Sequence, residues 1–496
     1  MAFPLRVLRL DTWVEPADAF VALFGGVGVD VPDAVWLDSG PEAATGRSFL
    51  GTGRLAATAS VADGTVTIGG VVRDGGILDA LRDDLRARGT STVGNAVEAA
   101  RRVEGTSPAP IDAHPVGWWG RLGYEAGAAA AGAPVASSRD ADGAHAPDAA
   151  LLFVDHFLAF DHAARTLDLV APDDADGRLW LDASVRLLDS AAGAAAAYEA
   201  AHDVPAASAS WRHDDAAYLA AIRACQQSIH AGDAYQLCLT NRAQGESHAD
   251  PLAVHLRLRR VSPAPYAGFV RIGGDVLVSS SPEEFLRVES NGRVRTRPIK
   301  GTRPRGATVA ADIALRAELE SSEKERAENV MIVDLMRNDL GRVCEVGSVE
   351  VSHLLAVESY AQVHQLVSTV EGTLRAGLGA VDAVAACFPA GSMTGAPKLS
   401  AMRILNRLES GPRGAFAGCF GYLAVDGSAD LAMVIRSVHF SDGTATIGAG
   451  GGITALSVPA EELEEVRVKA AAVLRAAGLD AGPATAERPP LTPSAN

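Results

Sequence analysis

The sequence predicts an α/β fold, and three observations predict it: a strand-like alternation at residues 235–242, a hairpin signal at Asn291-Gly292, and long stretches whose apolar residues recur at helical spacing. In order along the chain, residues 1–130 read as mixed strands and helices. Residues 132–149 (GAPVASSRDADGAHAPDA) are small, polar and Pro-containing, the composition of an exposed loop. Strands follow at 150–160 and 166–171. Residues 190–210 are Ala-rich and read as a helix plus a linker. Asp214 or Asp215 caps a helix carrying Leu219, Ile222 and Ile229 on one face and ending near Gly232. In the strand at 235–242, apolar Leu237 and Leu239 alternate with Gln236 and Thr240. Strands at 275–280 and 285–288 flank a Ser-Pro turn, and Asn291-Gly292 turns the second into a strand at 294–299. One long helix is expected over 309–339, with Ala327, Val330, Met331 and Leu335 on a shared face, and another over 460–477. The predicted organisation is an N-terminal region 1–195, a linker 196–212, a second region 213–478 and a disordered tail 479–496.

Composition narrows the function classes. At 496 residues the chain can bury a large core or two lobes. Aromatics make up only 5%, while Ala and Gly abound, so the core is mostly aliphatic. A net charge of −17 argues against nucleic acid or an anionic membrane as the main partner. It leaves room for an anionic substrate, because local cations or a metal can reverse the field inside a cleft. The cysteines are odd in number and form no C-x-x-C, which argues against a disulfide framework or a zinc site. No run of about 18 apolar residues spans a membrane, and MAFPLRVLRLD lacks the apolar stretch of a secretory signal. A cytoplasmic protein is expected.

Four segments carry candidate chemistry. In Arg297-Pro298-Ile299-Lys300-Gly301-Thr302-Arg303, a lysine at a strand end beside Arg297 and Arg303 would lose stability as an ammonium and become a usable amine nucleophile. A solvated lysine in a basic loop is the plainer alternative. In Ser281-Pro282-Glu283-Glu284-Phe285, Glu283 at a turn before a strand suits general-acid work if its pKa is raised; otherwise it is a turn glutamate. Glu325/Glu328 and Glu462/Glu465 are pairs one helical turn apart, and two such faces brought together make an oxygen cage suited to Mg²⁺. Both segments are Glu-rich, Glu461/Glu464 has the same spacing, and Lys469 is equally well read as a helix ion-pair partner of Glu465. Gly391–Lys398 lacks phosphate-loop spacing. Gly450-Gly451-Gly452 either lets a backbone approach a ligand carboxylate or makes a tight turn or bulge.

Together, Asp233–Arg242, Ser281–Phe285, Pro298–Arg305, Arg326–Val343 (RAENVMIVDLMRNDLGRV), Phe388–Lys398 (FPAGSMTGAPK), Gly450–Ser457 and Glu462–Lys469 resemble, in order, the motifs of the chorismate-utilising enzymes. That family includes anthranilate synthase large subunits, aminodeoxychorismate synthase component I, isochorismate synthases and salicylate synthases. A weaker resemblance covers Leu37–Ser39 and Gly117–Glu125 (GWWGRLGYE). The resemblance implies an anthranilate synthase component I-like fold: large packed β-sheets, outer helices and an active site in the central cleft. It implies Mg²⁺ on Glu325, Glu328, Glu462 and Glu465, with Glu328 and Glu465 foremost. It also implies substrate binding by Gly301, Thr302, Arg436, the Gly450 backbone and Lys469, and a possible tryptophan pocket at Ser39.

Within the family, water-adding members carry a Lys where this chain has Gln236, and anthranilate synthases read P-I-A-G-T where it has Lys300. The resemblance is therefore to the aminodeoxychorismate synthase branch. It implies Lys300 as nucleophile, Glu283 as acid, and ammonia from a separate glutaminase partner, since no Gly-x-Cys-x-Gly-His segment is present. The expected His before Leu-Val-Ser is Gln365, with His364 one residue earlier. Rival readings are anthranilate synthase component I and a non-catalytic chorismate- or tryptophan-binding regulator.

Overall fold

The computed structural model describes residues 4–26, 31–41, 43–92, 114–136, 146–360 and 363–482. Among them, two antiparallel sheets of twelve strands each stack face to face, with helices on the outer faces. Between the sheets, Trp119, Phe157, Val270, Leu277, Phe420 and Tyr422 form an apolar layer. The outer face of the first sheet packs Leu237, Leu239 and Ile447 against helical Ile222 and Val466. That of the second packs Leu286 and Val370 against Ile332 and Met336. Burial of these side chains is the main stabilising term.

The two sequence regions share both sheets. Ala34–Asp38 pairs with Tyr266–Ile272 in the first sheet, and Gly117–Leu122 pairs with Cys419–Ala424 in the second. The segment expected as a linker carries the helix Ala194–Ala201 and two short strands. Ala207–Ser208 pairs in parallel with Leu479–Asp480, so the expected tail starts as a strand; residues 483–496 lie outside the described residues. Ser210–Trp211 joins the first sheet beside Gln236–Glu246.

Several expected elements stand as read. Asp214 caps the helix Asp215–His230 by accepting from the Ala217 N–H, the hairpin turns at Gly292 with φ of 86°, and a proline opens the helix Pro459–Ala476. Others differ. The run at 150–160 is two strands, Ala149–Val154 in the second sheet and His156–Asp161 in the first, because the chain changes sheet at Asp155. An apolar run shows that both strands are buried and is silent on which sheet holds each. Of the loop expected at 132–149, residues 137–145 lie outside the described residues, and Ala149 already begins a buried strand.

The long helix at 309–339 is two, Val309–Ser321 and Glu323–Gly341, divided at Ser322, whose side chain caps the second by accepting from the Glu325 N–H. Its buried face is also rotated from the expected one. Asn329, Ile332, Val333, Met336 and Leu340 point inward, while Val330 is 45% exposed. Finally, Gly450-Gly451-Gly452 is no turn: the strand Thr444–Ile453 runs straight through it, with Gly452 opposite Cys238 and Gly450 opposite Thr240. All five cysteines are free and buried, and among the described residues no helix is long and apolar enough to cross a membrane.

Candidate active site

The glycines in a paired strand leave a stretch of backbone without side chains, and carboxylates lie against it. A Cβ built on Gly451 would lie 3.1 Å from Glu462 Oε2 and 3.7 Å from Glu465 Oε1. One built on Gly452 would lie 3.5 Å from Glu328 Oε2 and would collide with Gln236 Nε2. Glu462 and Glu465 come from the Pro459–Ala476 helix and Glu328 from Glu323–Gly341. The fourth acid, Glu325, sits against Gly301, whose left-handed φ of 84° and contacts with Leu319 and Glu325 exclude a side chain.

Most of these acids already have cations. Lys324 Nζ lies 3.2 Å from Glu462, Lys469 Nζ lies 2.5 Å from Glu465, and Arg303 lies 3.4 Å from Glu325. Glu328 alone of the four has no ion-pair partner among the described residues. Burial pushes its pKa up against the pull of Lys300 and Lys324, and Glu325 and Glu462 add to the rise. Burial also acts on Glu465, but Lys469 overcomes it and holds that carboxyl below its ordinary value. Among the described residues, no three His, Cys, Asp or Glu side chains form a ready-made metal site. The donor set is nevertheless all hard oxygen, which suits Mg²⁺.

Lys300 and Glu283 share the same electrostatic field. Glu283 is 7% exposed. Burial raises its pKa in spite of Lys300 and of hydrogen bonds from Ser392 and the Ile299 N–H. For Lys300 the sequence expectation is reversed. Arg297 pairs with Glu358, and Arg303 with Glu318 and Glu325, so neither presses on the lysine. Burial disfavours the ammonium, but Cys238, Glu328, Glu283 and Glu465 outweigh it and lift the pKa above its ordinary value. The local cations are consumed by acids nearer to them, which sequence proximity alone does not reveal.

Arg436 sits in a left-handed backbone conformation, φ 53°, costly for a side-chain-bearing residue. Burial lowers its pKa, Glu465 opposing. Among the described residues its guanidinium has no hydrogen bond or ion pair, so its donors are free for an anion. Lys469 donates to the Gly450 carbonyl at 2.9 Å, while Thr302 is exposed on a strand opposite Gln365. His364 cannot stand in for the missing histidine: it bonds Ser359 and Asp312, and as a strand neighbour of Gln365 it faces the other way. Ser39 follows the first-sheet strand Ala34–Asp38 and donates to the Arg47 carbonyl at 2.7 Å, beside Asp38, which is paired with Arg259.

Three contributors escape sequence reasoning. Ser392 lies in a segment that stands out only for its glycines. Cys238 is one more residue in the alternation of a strand. Arg413 looks like an ordinary loop arginine. It is buried and holds Glu409 Oε1 and Oε2, Met393 O and Cys238 O at 2.6–2.9 Å, while Glu409 accepts from the Thr240 N–H. The Glu409–Arg413 spacing of four residues is local, but it does not reveal the Met393 and Cys238 carbonyls, which lie 20 and 175 residues away.

Residues 72–475 match the family described as chorismate binding enzyme. The chain is 49% identical over 370 residues to the aminodeoxychorismate synthase of Streptomyces griseus, covering 73% of this chain and 50% of that one. It is 41% identical over 483 residues to the aminodeoxychorismate synthase of Streptomyces pristinaespiralis, covering 93% and 64%. The chain thus spans about half to two thirds of the length of these relatives. Its fold matches the crystal structure of anthranilate synthase component I from Streptococcus pneumoniae with a TM-score of 0.69 at 28% identity, covering 86% of this chain and 92% of that one. The match across most of the chain and the shared two-sheet fold make this protein a member of the chorismate-binding enzyme family.

Proposed function

We propose that the chain converts chorismate and ammonia into 4-amino-4-deoxychorismate, as an aminodeoxychorismate synthase. The observation that carries this reading is the electrostatic interaction of Lys300 with buried Glu283 and with Glu328 and Glu465. Glu325, Glu328, Glu462 and Glu465 would hold Mg²⁺, which when bound would anchor the substrate carboxylate and offset the negative charge that keeps Lys300 protonated. Arg436 and Lys469 offer donors to substrate carboxylates.

The steps follow from these positions. The Lys300 amine bonds to C2 as both ring double bonds shift toward C4 and the C4–O bond breaks, and Glu283 gives its proton to the departing hydroxyl, releasing water. Ammonia then bonds at C4, both double bonds shift back, the C2–N bond to Lys300 breaks, and the surplus proton on the new amine returns to Glu283. The enolpyruvyl group stays attached, since no base is used to eliminate it. Gln236 supports amination over hydration: it is an amide where a water-activating lysine would be required, and its buried Oε1 has no partner, leaving an acceptor for an incoming N–H. Ammonia is assigned to a glutaminase partner, and the product to 4-aminobenzoate and folate synthesis.

The test is product identity. The chain is incubated with chorismate, Mg²⁺ and an ammonium salt at alkaline pH, and the products are separated by chromatography and mass. An amine that retains the enolpyruvyl group, convertible to 4-aminobenzoate by an added lyase, is expected. Anthranilate with free pyruvate would overturn the reading in favour of anthranilate synthase, and tight tryptophan binding without turnover would favour a regulator.

A further inference from the structure

Lys324 has no part in the steps above, yet it stands among the carboxylates assigned to the metal. It lies in the first turn of the Glu323–Gly341 helix, and its ammonium donates to Glu462 Oε1 at 3.2 Å. Glu462, Glu328 and Glu465 all act on its charge; Glu462 and Glu465 lie against Gly451 and Glu328 against Gly452. Its side chain is 44% exposed, whereas that of Glu462 is 2% exposed. The lysine therefore has a path to solvent along a flexible four-carbon stem, and the acid has none.

Neighbouring carboxylates repel one another, and a buried carboxylate such as Glu462 is costly unless a cation neutralises it. A divalent ion at Glu462 and an ammonium donating to the same carboxylate cannot both be accommodated cheaply. We propose that Lys324 is a built-in placeholder for the divalent cation: its ammonium neutralises the acid cage when the metal is away and swings out to solvent when the metal enters. The inference rests on the reading of the glutamates as a Mg²⁺ site. The placeholder keeps the metal-free chain folded and lowers its apparent metal affinity, because entry of the ion must first break the Lys324–Glu462 pair.

Two measurements on the full chain test this. Mn²⁺ binding is titrated by the electron paramagnetic resonance of the free ion, for the native chain and for Lys324→Met. Reductive methylation of Lys324 in the native chain is followed by mass spectrometry with and without Mg²⁺. The expected result is Mn²⁺ affinity up to about fivefold tighter in the variant, the scale of one partly exposed ion pair, together with faster methylation of native Lys324 when Mg²⁺ is present. If Mn²⁺ binds the native chain but Mg²⁺ leaves the methylation of Lys324 unchanged, the placeholder is overturned, even where the variant binds more tightly through simple loss of charge. If neither chain binds Mn²⁺, the metal-site reading itself fails. The methylation arm needs no variant and stands if Lys324→Met does not fold.

Discussion

Two groups of polar side chains, one around Arg413 and one at the candidate site, differ in how they are completed. In the first, Arg413 donates to both Glu409 oxygens and to the Met393 and Cys238 carbonyls. Glu409 also takes the Thr240 N–H and hydroxyl, both at 2.9 Å, and Glu125 takes the N–H groups of Arg413 and Gly414. In the second, Arg436 has no protein acceptor and Glu328 no ion-pair partner among the described residues, and Gln236 Oε1 is unpaired. A closed cluster holds the strand Gln236–Glu246 and the 391–395 segment in place. An open one costs stability in the folded chain, and a ligand can offset that cost.

The largest effect expected from breaking this contrast is at Lys300. Lys300→Ala should lower formation of the 4-amino product about a thousandfold or more and shift the remaining turnover toward anthranilate and pyruvate. An unchanged product from the variant would end the nucleophile assignment. Next comes the closed cluster: Arg413→Met strands a buried Glu409 charge and should cost about 3–5 kcal/mol in denaturant unfolding. Adding Glu409→Leu should recover part of that loss, and a cost in the single variant no larger than that of a surface substitution would show that the cluster is not structurally important.

Arg436→Met is the matched counter-test. It abandons no protein partner and removes a desolvated, unpaired guanidinium, so unfolding stability should hold or rise. KM for chorismate should rise about tenfold to a hundredfold, the scale of a charge-assisted hydrogen bond. Strong destabilisation with unaltered KM would place Arg436 in the closed class. The smallest effect is a pH dependence at Glu125, which burial lifts from an ordinary 4.5 to about 7 against the two backbone N–H groups it accepts. The folded state then holds the proton more tightly than the unfolded one. This contribution is complete below about pH 4.5 and is lost as pH rises through about 7. Glu125→Gln should flatten unfolding stability across that window; an identical slope in both chains would refute the assignment.

Local signals are legible where local physics decides. Asp214 as a cap, Asn291-Gly292 as a turn and the Pro459–Ala476 helix each depend on neighbours a few residues away. The helix break at Ser322 is in principle as local, but the Glu-rich helical pattern on both sides masks it. The E-x-x-E spacings and the lysine in P-I-K-G-T mark the right segments, yet spacing does not say which acids converge.

Pattern and motif along the chain suffice for the α/β class, the family motifs and the candidate residues Lys300, Glu283, Glu325, Glu328, Glu462 and Glu465. Packing sets Glu462 and Glu465 against Gly451 and Glu328 against Gly452, surrounds Lys300 with acids rather than arginines, and gives Arg413 and Lys324 their carboxylate partners. The reason is that electrostatic environment depends on distance in space, and groups brought together here are separated by up to hundreds of residues in the chain, as Glu125 is from Arg413.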